Sequence, residues 1–230
     1  MQSKLAARLN GASNRIEYIP NWANDEIVAT PAHAPETRPF VVQYSGNMGV
    51  THGIETLIES ACLLLHDDSI RIELIGWGLK LPLVATEIRK RGLRNVTLLP
   101  AAPRAQLGEQ LARCDVALII MVPGASGASV PCRLYNIMAA GRPVIVAADA
   151  DSEIASVVRD NRLGWVVAPA APEQLASAIR EACLQPEQLK AMGDRARELA
   201  HRLYRFERAA VAYQDVIASV SAAPSHHGAA

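Results

Sequence analysis

Three features of this chain carry residue types suited to holding an anion. The first is the run Ser45-Gly46-Asn47-Met48-Gly49-Val50-Thr51-His52-Gly53, whose glycines let backbone amides come close to a phosphate at the start of a following helix. The second is Pro123-Gly124-Ala125-Ser126-Gly127-Ala128-Ser129-Val130-Pro131. The third is Arg133, in the first turn of a helix expected from Pro131, where the positive dipole end disfavours a cation by roughly a few tenths of a kcal/mol. An anion between them reverses the sign, so a phosphate is expected to accept from Arg133 and from amides of residues 128–130, Ser129 among them. Asn136 follows one helical turn later on the same face, which suits a ribose contact. His52 could donate to a phosphate or a sugar hydroxyl. Each feature also has a plainer reading: tight turns, a solvated arginine, a surface amide and a helix-start histidine.

Other chemistries fit less well. The first loop is spaced G-x-x-G-x-x-x-G instead of G-x-G-x-x-G, and the second strand ends in Gly76-Trp77-Gly78 without a ribose-binding acid, which weakens a dinucleotide reading. There is no G-x-x-x-x-G-K-[ST] run. Asp149-Ala150-Asp151 has a metal-compatible spacing, but the following Ser152 makes turn and helix-cap duty the better expectation. No nucleophile–base arrangement stands out from spacing, and the histidines show no metal-ligand pattern. Lys plus Arg and Asp plus Glu both number 23, so no nucleic-acid partner and no polybasic membrane patch are expected, and any anion site is local. Cys62, Cys114, Cys132 and Cys183 are widely spaced, as free thiols in a reducing compartment would be. The start lacks the apolar core of a signal peptide, and a cytoplasmic location is expected.

The elements that must position these residues follow from periodicity. From Phe40 onward, short Val/Ile/Leu-rich runs alternate with longer helical patterns. Strands are expected at 40–44, 71–75, 96–99, 116–120, 143–146 and 165–167, without strict alternation, as in strands covered on both faces. Helices are expected at 52–65, 80–91, 104–113, 131–140, 152–159 and 172–184, with two more at 186–203 and 206–220. The fold class is therefore α/β, a Rossmann-like, doubly wound, parallel six-stranded sheet. In the order 3-2-1-4-5-6 the strand order reverses between strands 1 and 4, which brings both glycine-rich loops to one crevice. Residues 1–39, with a possible short helix and a brief run at 15–19, read as a linker or remnant of a missing N-terminal domain. Residues 40–203 form the nucleotide-binding domain, 204–220 a crossing helix and 221–230 a disordered tail.

IPNWAN (19–24), YSGNMG (44–49), HGIETLIESA (52–61), ELIGWG (73–78), NVTLLP (95–100), CDVALI (114–119) and SVPCRLYNIMAAGRPVI (129–145) together resemble the C-terminal half of family 4 glycosyltransferases, in particular the bacterial polysaccharide and O-antigen subgroup. The resemblance covers residues 15–220. It implies the C-terminal, donor-binding domain of a GT-B fold and a retaining transfer from a nucleotide-diphosphate sugar to a glycan or lipid-linked acceptor. No cofactor and no metal are implied. The partner would be an N-terminal acceptor domain, and the site would be peripheral at the inner face of the cytoplasmic membrane. A donor half alone should bind without transferring.

By the same resemblance, the diphosphate falls to Gly46, Asn47, His52, Ser129 and Arg133, the ribose to Asn136, and the nucleobase to backbone at Gly76, Leu99, Pro100 and Ala101; no catalytic residue is assigned. The chain departs from the family where a Glu-x7-Glu pair is common, carrying Ala128 and Asn136, and where Arg and Lys follow the first strand, carrying Asn47 and His52. An amide offers a ribose one acceptor oxygen where a carboxylate offers two. Two other functions stay open: a degenerate, non-catalytic nucleotide-binding module, and a GT-B sugar-nucleotide epimerase.

Overall fold

A computed structural model describes residues 16–28, 39–101, 103–125 and 131–221. Six strands, β1 (Phe40–Asn47), β2 (Ile70–Trp77), β3 (Val96–Leu99), β4 (Val116–Ile120), β5 (Val144–Ala147) and β6 (Gly164–Val167), form one sheet in the order β3-β2-β1-β4-β5-β6. Every pairing is parallel. The crossovers are α2 (Ile54–Leu63), α3 (Leu81–Arg91), a 3-10 turn (Arg104–Gln106) leading into α4 (Leu107–Ala112), α5 (Arg133–Ala139) and α6 (Glu153–Asp160). After β6 come α7 (Pro172–Cys183), α8 (Pro186–Leu203) and α9 (Phe206–Ser221). The expected doubly wound α/β fold is the one observed.

Both faces of the sheet are covered, which is why the strands read as unbroken apolar runs. Val42, Tyr44, Ile72, Leu74, Leu118 and Ile145 pack on one side with Leu57, Ile58, Leu175 and Ile179 from α2 and α7. Val41, Ala117, Ile119, Val144 and Val146 pack on the other with Leu111, Leu134, Met138, Ile154 and Leu199. Pro172 and Pro186 open α7 and α8, where a missing N–H costs nothing. Ser152 caps α6 as expected, its Oγ accepting from the Ala155 N–H at 3.3 Å.

Two strands run further than their composition predicts. β1 continues to Asn47 and β2 to Trp77 because Gly46 pairs with Gly76 and Asn47 with Trp77 in register. Gly76 has φ +150°, and a Cβ there would overlap the Gly46 carbonyl oxygen, so only glycine lets the two strand ends approach this closely. The helix expected from Pro131 begins at Arg133, with Cys132 as its N-cap.

Within the stretch 1–39, residues 25–28 form α1 (Asp25–Val28). It packs against α4 and α5, with Ala23 and Ile27 each 1% exposed, and the Ala23 N–H donates to the Tyr204 carbonyl at 2.8 Å. Residues 16–19 have no regular structure, and the possible helix near the start lies outside the described residues. α9 buries only Ala209 and exposes Phe206, Val211, Tyr213, Ile217 and Val220. The tail from residue 222 lies outside the described residues. No helix among them is long and apolar enough to cross a membrane.

Candidate functional site

The crevice where the strand order reverses is a cleft of about 740 Å³ beyond the carboxyl ends of β1, β2 and β4. The first of the loops that the sequence nominated is joined there by backbone to the end of β4 and the two residues that follow it. The Gly53 N–H donates to the Ile120 carbonyl at 3.2 Å, the Val122 N–H donates to Thr51 at 3.1 Å, and His52 bridges Met121.

Arg133 reaches across from α5 to this seam. Its Nη1 donates to the Ser45 carbonyl at 3.3 Å, its Nη2 lies 2.7 Å from His52 Nε2, and its guanidinium sits 4.7 Å from the Tyr44 ring centroid. Gly46 leaves the space this requires: a Cβ there would come within 3.2 Å of Arg133 Cζ. Among the described residues every partner of this cation is neutral, and no carboxylate pairs with it.

The chemistry fixes the protonation of His52. A guanidinium has no acceptor, so Nε2 must accept and the ring is neutral with its proton on Nδ1. Burial, then Arg133, then Lys80 push the His52 pKa down to about 4, with the Gly49 backbone opposing. Lys80 also fixes the loop, its Nζ donating to the His52 carbonyl and to Glu55, each at 2.8 Å. Burial raises the Tyr44 pKa against the pull of Arg133, and its hydroxyl donates to the Asn47 carbonyl at 2.7 Å.

Of the expected site residues, Gly46, Asn47, His52, Gly76, Ala101, Arg133 and Asn136 line this one cleft. Leu99 pairs with Ile75 at the end of β3 but, like Pro100, is not part of the lining. Ser129, and with it residues 128–130, lies outside the described residues. Asn136 is partly engaged already, because its Oδ1 accepts from the Asn24 N–H at 2.9 Å and ties the α1 segment to the cleft wall. Asp149 Oδ2 accepts from the Gly124 N–H at 3.0 Å and so tethers the loop after β4, which is a structural duty.

The sequence reading did not single out Trp22, Gln43, Trp77, Arg104 and Gln110, which also line the cleft. For Trp77 a local signal exists, an aromatic set between two glycines at a strand end. Gln43 and Gln110 gave none, since only the fold brings them to the Ser45 side of the cleft, where Gln110 Nε2 donates to Ser45 Oγ at 2.6 Å.

Comparison with known proteins gives this geometry a context. The chain is 28% identical over 194 residues to WbjE of Pseudomonas aeruginosa, named as a glycosyltransferase, covering 80% of this chain and 47% of that one. It is also 28% identical over 188 residues to WcaI of Escherichia coli K12, named for glycosyl transfer in colanic acid biosynthesis, covering 76% of this chain and 46% of that one. The chain thus spans about half the length of these curated relatives. Among solved structures, S. aureus TarM in a complex that includes UDP superposes with a TM-score of 0.69 at 20% identity, over 92% of this chain and 42% of TarM, and shares the fold. The glycosyl transferases group 1 family matches residues 28–199, most of the chain, which therefore belongs to that family of GT-B glycosyltransferases.

Proposed function

We propose that this chain is the donor-binding half of a retaining glycosyltransferase and holds a nucleotide-diphosphate sugar in the β1–β4 crevice. The observation that carries the reading is Arg133, a cation whose partners at the strand-order reversal are, among the described residues, all neutral. A diphosphate is the ligand chemistry that completes it. Arg133 would hold the diphosphate with Gly46, Asn47, His52 and Ser129, and Asn136 would present its free amide NH2 to the ribose.

Transfer in this reading depends on stabilising charge on the departing diphosphate, a role that preorganised cations and amides fill without a metal. The acceptor, a glycan or lipid-linked sugar of bacterial surface polysaccharide synthesis at the cytoplasmic membrane face, would be held by a further domain. The relatives' length, about twice the matched region, and the UDP bound in TarM support that division of labour.

Calorimetric titration with UDP, GDP and dTDP tests the reading. At least one nucleotide should bind, and Arg133→Ala should weaken it by roughly 1.5–3 kcal/mol, as loss of a charge-assisted hydrogen bond does. Affinity unchanged by that substitution would sink the assignment. So would sugar transfer by this chain alone sink the claim that it only binds.

A further inference from the structure

We infer that Trp77 is the platform on which the base of the bound nucleotide stacks, so that a side chain fixes the nucleoside end of the ligand. The inference rests on the donor-binding reading above and adds a stacking side chain where only backbone at Gly76, Leu99, Pro100 and Ala101 was expected to meet the base.

Two tryptophans line the cleft, and they differ in what already covers them. Trp22 makes an edge contact with Phe206 at 5.5 Å between ring centroids and is 37% exposed. Trp77 has no aromatic partner among the described residues and is 59% exposed. A bare indole lining the cleft is a large apolar face that a flat π-system covers well.

The backbone beneath it is locked. The Trp77 carbonyl accepts from the Met48 N–H at 2.6 Å, and the Lys80 N–H donates to the Met48 carbonyl at 3.0 Å. Gly76 and Gly78 flank it at φ +150° and +133°, and a Cβ at either would overlap the Gly46 carbonyl or the Asn47 side chain. Only the indole is left to adjust, so little order is lost when it meets a ligand.

Position along the sheet indicates which part of the ligand it meets. Arg133 lies over Gly46 on β1, the strand next to β4 in the sheet. Trp77 ends the next strand on the other side, and Ala101, Arg104 and Leu107, which follow β3, line the cleft beyond it. Strands are about 4.8 Å apart, so the aromatic end is offset from the cation by roughly one or two strand spacings, the span that a ribose places between a diphosphate and its base. Stacking is indifferent to base identity, since every base has a π-face.

The test titrates the chain with UDP, GDP, UDP-glucose and inorganic pyrophosphate by calorimetry, using the wild type, Trp77→Ala, Trp77→Phe and Arg133→Ala. Tryptophan fluorescence is followed in parallel, with Trp22→Phe as the control. Trp77→Ala should weaken UDP and GDP by roughly tenfold and pyrophosphate by less than about twofold, and Trp77→Phe should restore most of the loss. Quenching by UDP should persist in Trp22→Phe and disappear in Trp77→Phe. If Trp77→Ala binds UDP and GDP as the wild type does while Arg133→Ala still weakens them, the stacking proposal falls and the anion site stands. Loss confined to UDP-glucose would assign the indole to the sugar, and equal loss of UDP and pyrophosphate would make it a structural prop; both overturn the proposal. If none of the probes binds, both readings fall together.

Discussion

Two concavities of this molecule contain basic side chains and treat their charge in opposite ways. The groove of about 340 Å³ between α2 and α3 is lined by Lys80, Lys90 and Arg91 interleaved with Glu55, Glu59 and Glu87. Lys80 lies 2.8 Å from Glu55, and Arg91 lies 2.8 Å from Glu59 and 2.7 Å from Glu87. In the β1–β4 cleft Arg133 meets a carbonyl, a neutral imidazole and an aromatic face. Charge in the groove is accounted for within the chain. Charge in the cleft is not, and that difference, more than the larger volume, is what favours the cleft over the groove in the proposed reading.

The contrast breaks most severely if the cleft cannot form. Gly76→Ala, which sets a Cβ against the Gly46 carbonyl, should cost about 3 kcal/mol of unfolding free energy in denaturant titrations, since strain at a special φ adds to overlap. The direct comparison is Arg133→Ala against Glu59→Gln, with calorimetry and thermal melts run on both. The first should lose the roughly 1.5–3 kcal/mol of nucleotide affinity set out above with little change in stability. The second should change neither, because Glu59 is an exposed partner in a charge network that solvent screens. Nucleotide affinity lost equally in both would show that charge compensation does not distinguish the two sites. Asn136→Ala removes the acceptor of the Asn24 N–H and should cost about 1 kcal/mol of stability.

A further effect separates the two regions by pH. His52 stays neutral in the folded chain down to about 4, whereas the unfolded chain takes up that proton near the ordinary value of 6.5. The unfolded state therefore binds more protons between these values, and His52 makes stability fall as pH drops through that window. Above it His52 has no effect. Melting temperature followed from pH 7 to pH 4 should decline less steeply in His52→Asn, and an unchanged slope would show that His52 is not held neutral by burial and Arg133.

Much of the fold was legible in the sequence because its local rules agree. Pro172 and Pro186 mark the first residues of α7 and α8, and the apolar runs of β4 and β5 follow from cover on both faces. The strand ends were harder to read, since glycine usually interrupts a strand, whereas Gly46 and Gly76 continue the ladder by pairing with each other. Helix α1 gave no signal, being four residues long in a segment without periodicity. In the site, Arg133 was visible as a cation placed against a helix dipole. Its contact with His52, 81 positions away, and the grip of Asn136 on Asn24, 112 away, depend on how loops from different strands meet, which no local pattern encodes.

The wedge formed by α1 bears on where this protein can be cut. Strand content places the start of the sheet-bearing unit at Phe40, yet Ala23 and Ile27 fill a seat against α4 and α5, and Trp22 and Asn24 form part of the cleft wall. A trimmed version beginning at residue 40 would keep the whole sheet and open an apolar trough beside the cleft. For expression, crystallisation or domain grafting, the smallest sensible unit therefore starts upstream of Trp22.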